Sequence, residues 1–137
     1  MATRGNIGIV NQDGSINGIY VHFDAYPEYV GKTLLNNYTN TEIVNQLIDL
    51  GDLSSLGEHL YVTGHTWGAP IEGVCVAYGR DRGESGVESR RFISEIEYKM
   101  NGKGVDYQYL FKDNKWYYRC VHKNKSEFIE LTLEDCK

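Results

Sequence analysis

The chain carries no excess of positive charge: 14 lysines and arginines against 19 aspartates and glutamates leave a formal net charge of −5. Nonspecific binding to nucleic acid needs a basic face that displaces counterions, and this balance gives no support for one. Long apolar runs are missing as well. None approaches the ~20 residues that cross a bilayer, and the opening Met-Ala-Thr-Arg-Gly leads into a short strand-like segment, not a signal-peptide core. Cysteine is scarce and odd in number, with Cys75, Cys120 and Cys136 far apart. Such a set fits reduced thiols in a cytoplasmic protein better than a secreted disulfide framework. Cys75 lies on a buried-looking strand, the setting of an inert thiol, and Cys136 is expected at a mobile end.

Catalytic signatures are equally thin. There is no Gly-x-Ser-x-Gly elbow, no P-loop ending in lysine and serine or threonine, and no recognised zinc spacing. No catalytic residue, metal or cofactor is assigned. What remains is an ordinary folded composition, 41% hydrophobic and 24% charged, in 137 residues. That is enough for one domain with its own core. Eleven tyrosines are the one unusual count. Tyrosine pairs an apolar body with a polar tip, so it suits half-buried sheet faces and binding surfaces alike.

Residues 5–10 and 16–23 alternate as two strands around Asp13-Gly14, a hairpin signal. Ile19, Val21 and Phe23 should face the core, with Tyr20, His22 and Asp24 on the other side. Pro27 suits a first helical turn, and Val30, Leu34 and Tyr38 form a stripe at four-residue spacing. Thr39-Asn40-Thr41-Glu42 reads as a capping box starting a second helix, with Ile43, Val44, Leu47 and Ile48 inward and Gly51 its stop. Residues 52–57 read as a short capped turn. Val74, Val76 and Tyr78 then alternate in a strand, as do Phe92, Ile96, Tyr98 and Met100 in another. Tyr107, Tyr109 and Phe111, residues 116–122 and residues 128–133 complete a meander, with Trp116 facing the core. The reading is α+β: an antiparallel sheet of about six or seven strands with two helices packed on one side.

The densest polar segment is Tyr78-Gly79-Arg80-Asp81-Arg82-Gly83-Glu84. Arginine presents a planar fork to phosphate or carboxylate, and glycine lets the backbone approach a ligand closely. A solvated loop with Asp81 pairing an arginine is the plainer alternative. The second segment is Tyr20-Val21-His22-Phe23-Asp24-Ala25-Tyr26-Pro27-Glu28, where Asp24 is placed to orient the His22 imidazole. A metal there would need a third ligand from His59, His65 or His122. Residues 64–70, with His65 and Trp67, read as a lid over a ligand or as a plain connection.

These segments, with Gly51-Asp52-Leu53-Ser54-Ser55-Leu56-Gly57 and Lys115-Trp116-Tyr117-Tyr118, resemble a family of small, mostly uncharacterised bacteriophage and prophage proteins. Phe23 and Ala25 stand where that family often has tryptophan and glycine. The resemblance implies a phage protein acting in the host bacterial cytoplasm, and by analogy one that counters host defence. The leading expectation is capture of a small anionic nucleotide-type immune signal by Tyr20, His22, Asp24, Tyr26, Tyr78, Arg80, Asp81, Arg82 and Glu84, in a homo-oligomer. Direct inhibition of a host immune protein such as a CRISPR nuclease is the alternative, suggested by Glu84, Glu88, Glu95 and Glu97. A phosphodiesterase-like enzyme using His22, Asp24 and Glu84 is the third.

Overall fold

The computed structural model describes residues 2–123 and 127–137, so Met1 and residues 124–126 lie outside the described residues. The chain opens with β1 (Gly5–Val10) and β2 (Ile16–Val21), an antiparallel hairpin in which Gly14 at φ 86° closes the turn. A π-helical turn (Pro27–Gly31) runs into α1 (Lys32–Asn37), and α2 (Thr41–Asp49) follows. Then come β3 (Leu53–Ser55), β4 (Val76–Ala77), α3 (Tyr78–Arg82), β5 (Arg90–Phe92) and α4 (Glu95–Met100). The hairpin β6 (Lys112 ends Tyr107–Lys112) and β7 (Lys115–Cys120), the short β8 (Ile129–Glu130) and a 3-10 turn (Leu133–Cys136) close the chain.

The strands form one sheet in the order β4-β3-β2-β1-β6-β7-β8, with β5 also pairing β2. The α+β class holds, but the sheet is mixed: β1 runs parallel to β6 and β2 parallel to β3. Alternation alone reports which face a residue takes and not the direction of the neighbouring strand.

Side-chain alternation divides the strands between two cores. Ile7, Ile9, Ile19, Val21, Tyr109 and Phe111 share one with Val30, Leu34, Tyr38, Val44, Leu47 and Ile48 of the helices. Tyr38 sends its hydroxyl 2.7 Å to Gly57 O, and Trp116 Nε1 donates to Tyr38 O at 2.8 Å. Two helices therefore cover this face, as the apolar stripes predict. A third covers the other. Gly8 and Gly18 pair across β1 and β2, and a Cβ on either would sit 3.0 Å from the Tyr98 ring. Tyr98, from α4, lies in that seat with Phe92 and Leu110 beside it.

Four local expectations change. Asn40, not Thr39, caps α2, its side chain accepting from Ile43 N at 3.0 Å. Residues 53–55 form a strand because His22 N and Phe23 N donate to Leu53 O and Ser54 O. The strand expected through Met100 stops at Phe92, where Ser94 Oγ accepts from Glu97 N at 3.2 Å and starts α4. Cys136 is buried and bonded to Thr132 O, so it is no mobile end.

Candidate functional site

The site grows from the junction of β4 and α3. Asp81 reaches back along its own turn, and Oδ2 accepts from Ala77 N at 2.8 Å, so the side chain helps to start the helix it belongs to. Gly83 ends α3 at φ 74°, a conformation that costs glycine nothing. The segment expected as a loop is therefore one tight helical turn.

Arg80 lays its guanidinium along Asp81, with Nε 2.9 Å from Oδ1 and Nη2 3.0 Å from Oδ2. The same group donates to Cys75 O at 2.6 Å and to Leu60 O. Across from it, His65 is buried in the connection between β3 and β4, its Nε2 3.1 Å from Asp81 Oδ2. His65 Nδ1 accepts from Ile71 N at 3.0 Å, so the ring proton sits on Nε2 and is donated to Asp81. Burial alone would raise the Asp81 pKa. The bonds from Arg80, Ala77 N and His65 outweigh it and hold the carboxyl below its ordinary 3.8. Both His65 nitrogens and most of the Arg80 donors are committed, so this trio latches the connection onto α3.

Aromatic rings stand around the latch. The Arg80 guanidinium lies 5.2 Å from the Tyr61 ring centre, and that ring meets His65 edge-on at 6.2 Å. Arg82 lies 5.0 Å from the Trp67 ring centre, and Trp67 is 5.8 Å from Tyr78. Glu84 pairs Arg82 at 3.4 Å in an exposed contact, which holds the guanidinium only weakly. Tyr61, His65, Thr66, Arg80 and Asp81 line an open hollow of about 410 Å³.

The hairpin edge is joined to this cluster through Asp52. Its Oδ1 accepts from Tyr20 N at 2.9 Å, its carboxylate takes a two-pronged bond from Arg90 at 3.1 and 2.6 Å, and its carbonyl accepts from Tyr78 N. Tyr20 in turn sets His22, hydroxyl to Nδ1 at 2.7 Å. Burial raises the Tyr20 pKa first, Arg4 opposes it, and nearby Tyr78 and Asp52 add to the rise.

The nine expected residues thus separate into three groups. Tyr78, Arg80, Asp81, Arg82 and Glu84 stand together. Tyr20 and His22 connect to them through Asp52 but do not line the hollow. Asp24 and Tyr26 form a corner of their own, Tyr26 Oη donating to Asp24 Oδ1 at 3.2 Å. Asp24 sits at φ 59°, which turns the chain out of the strand, so it does not orient His22, and Phe23 is exposed instead of core-facing. Arg80 and Asp81, both expected as ligand-binding residues, commit most of their hydrogen-bonding groups within the fold.

His59 lies beside Glu58, and His122 bonds Asp106 at 2.5 Å; no metal-holding group of three assembles among the described residues. Sequence reasoning did not single out Tyr61, and read Asp52 only as part of a short turn and of the Gly51–Gly57 motif. His65 and Trp67 carried a signal, the loop read as lid or connection. A larger cavity of about 700 Å³ lies elsewhere, between the two hairpin tips, walled by Asn11, Gln12, Asn45, Lys112 and Asn114. It offers no exposed aromatic face, since Phe111 in its wall is buried.

Comparison with protein-family models, with curated proteins and with solved structures gave no match.

Proposed function

We propose that this chain is a non-catalytic phage counter-defence protein that captures a small anionic nucleotide-type signal on the surface built by residues 58–75 and α3. The observation that supports this reading is the pairing of each arginine with an exposed ring, Arg80 on Tyr61 and Arg82 on Trp67, on either side of the latch. A base stacks on such a ring, and a guanidinium already held beside it meets the phosphate without much further ordering. Arg82 is the phosphate ligand of the pair, because its ion-pair partner among the described residues is the weakly held Glu84, whereas Arg80 is fastened to backbone carbonyls. Small-ligand sites commonly enclose ~300–1,000 Å³; the hollow at Tyr61, on the Arg80 side of this surface and not lined by Arg82 or Trp67, is about 410 Å³.

Calorimetric titration with a panel of cyclic dinucleotides, ADP-ribose and cyclic ADP-ribose tests it. Saturable one-to-one heat with one member supports the reading, and none with folded protein removes it.

A second reading, direct inhibition of a host immune protein, draws on Phe23, Tyr61, Val62 and Trp67, all large and exposed. Aromatic and arginine side chains are the usual anchors of protein interfaces. A host protein that co-purifies from infected cells and is lost on Trp67→Ala supports that version. The phosphodiesterase reading has no comparable support, since His22, Asp24 and Glu84 each take separate partners.

A further inference from the structure

Helix α4 and the turn leading into it carry three large apolar side chains that are well exposed. Ile93, which precedes the helix, and Ile96 and Met100 on it are 76%, 71% and 71% exposed, and i, i+4 spacing sets Ile96 and Met100 side by side. The rest of the segment is accounted for. Tyr98 turns inward onto Gly8 and Gly18, Phe128 stacks on Tyr98 at 6.1 Å, and Lys99 lies over Phe128. Three large exposed apolar side chains at one helix and the turn leading into it mark an interaction surface, because single exposed residues are ordinary and clusters of them are not.

We infer that this cluster docks against its own counterpart in a second copy of the chain, α4 antiparallel to α4 about a twofold axis. Charge favours that occupant. The first turn of α4 is acidic, with Glu95 and Glu97, and Lys103 follows its other end, where Lys99 is already bonded to Glu127 and lies 3.9 Å from Glu95. Antiparallel apposition brings each acidic end to the other copy's basic end, while parallel apposition sets like charges together. Ile96 of one copy then meets Met100 of the other. The three side chains expose roughly 400 Å² per copy, about 800 Å² for the pair, and flanking Arg91, Glu97 and Lys103 bring it near the ~1,200 Å² lower bound of specific interfaces. Such an area marks a weak, concentration-dependent dimer.

Sedimentation velocity across a concentration series, at low salt, reads this directly. The wild-type protein should pass from monomer to dimer, and Ile96→Asp should weaken the association at least tenfold without changing the thermal melt. Glu97→Lys should also weaken it, and adding Lys103→Glu should restore it. A wild-type protein that stays monomeric to millimolar concentration overturns the inference. So does a dimer untouched by Ile96→Asp, or a charge swap that fails to recover.

Discussion

His65 donates its Nε2 proton to Asp81 at 3.1 Å, and both side chains are almost fully buried. The bond spans 16 residues and closes the connection between β3 and β4 over α3. Neither partner is exposed enough to act on a ligand. Their service is to hold Tyr61, Trp67 and the two arginines in place.

His65→Ala should therefore cost about 2–3 kcal/mol in urea unfolding, from a small cavity plus the abandoned Ile71 N–H and Asp81 oxygen. Amide exchange should rise across residues 58–75 and stay slow in β1 and β6. The pH dependence has a definite sign. Asp81 has a folded pKa below its ordinary 3.8, so its contribution is complete above that value and is lost as pH falls through the folded one. Asp81→Asn should accordingly flatten the loss of stability below about pH 4, at a lower starting stability.

Asp52 serves two customers, Tyr20 N and Arg90, while Arg90 bonds Asp52 alone among its hydrogen-bond partners described. Asp52→Ala should cost more than Arg90→Ala, by about 1 kcal/mol, because it also strands a backbone donor. A double-mutant cycle in chemical denaturation checks the difference.

Gly18→Ala should destabilise by about 1–3 kcal/mol, since the new methyl meets the Tyr98 and Phe92 rings in a packed core, at 3.0 and 3.2 Å. Gly14→Ala meets nothing within 4 Å but stands at φ 86°. Its cost is conformational, about 1 kcal/mol. Thermal melts of the two variants separate crowding from backbone strain.

Much of this fold is legible in the residues. The hairpin turn at Asp13-Gly14, the stripe Val30-Leu34-Tyr38, the inward side of α2 and the core tryptophan all follow from period and turn chemistry. Strand direction does not, because side-chain alternation is the same in parallel and antiparallel neighbours. Phe92, Ile96, Tyr98 and Met100 mislead because their spacing suits a strand, and only Ser94 with Glu97 three residues later marks a helix start. At the site, Arg80 and Arg82 look equivalent in sequence. The difference between them comes from carbonyls at Leu60 and Cys75, which no local pattern announces. Asp24 looked like a partner for His22 because they stand two positions apart, on one face of an extended strand, and a single positive φ removes it.

The ligand surface should be sensitive to Arg82 and Trp67 and indifferent to His22. Arg82→Ala and Trp67→Ala should each weaken binding by tenfold or more, about 1.4 kcal/mol, with melting temperatures close to wild type. His22→Ala should leave affinity within twofold, measured by the same calorimetric titration.

The central claim is that a small anionic ligand rests against Trp67. The two tryptophans make this directly observable: Trp67 is 36% exposed and Trp116 3%. Intrinsic fluorescence should therefore change saturably as the bound nucleotide is titrated into wild-type protein, and Trp67→Phe should abolish the change. A response of equal size in Trp67→Phe, or no response to a ligand that calorimetry shows to bind, would contradict it.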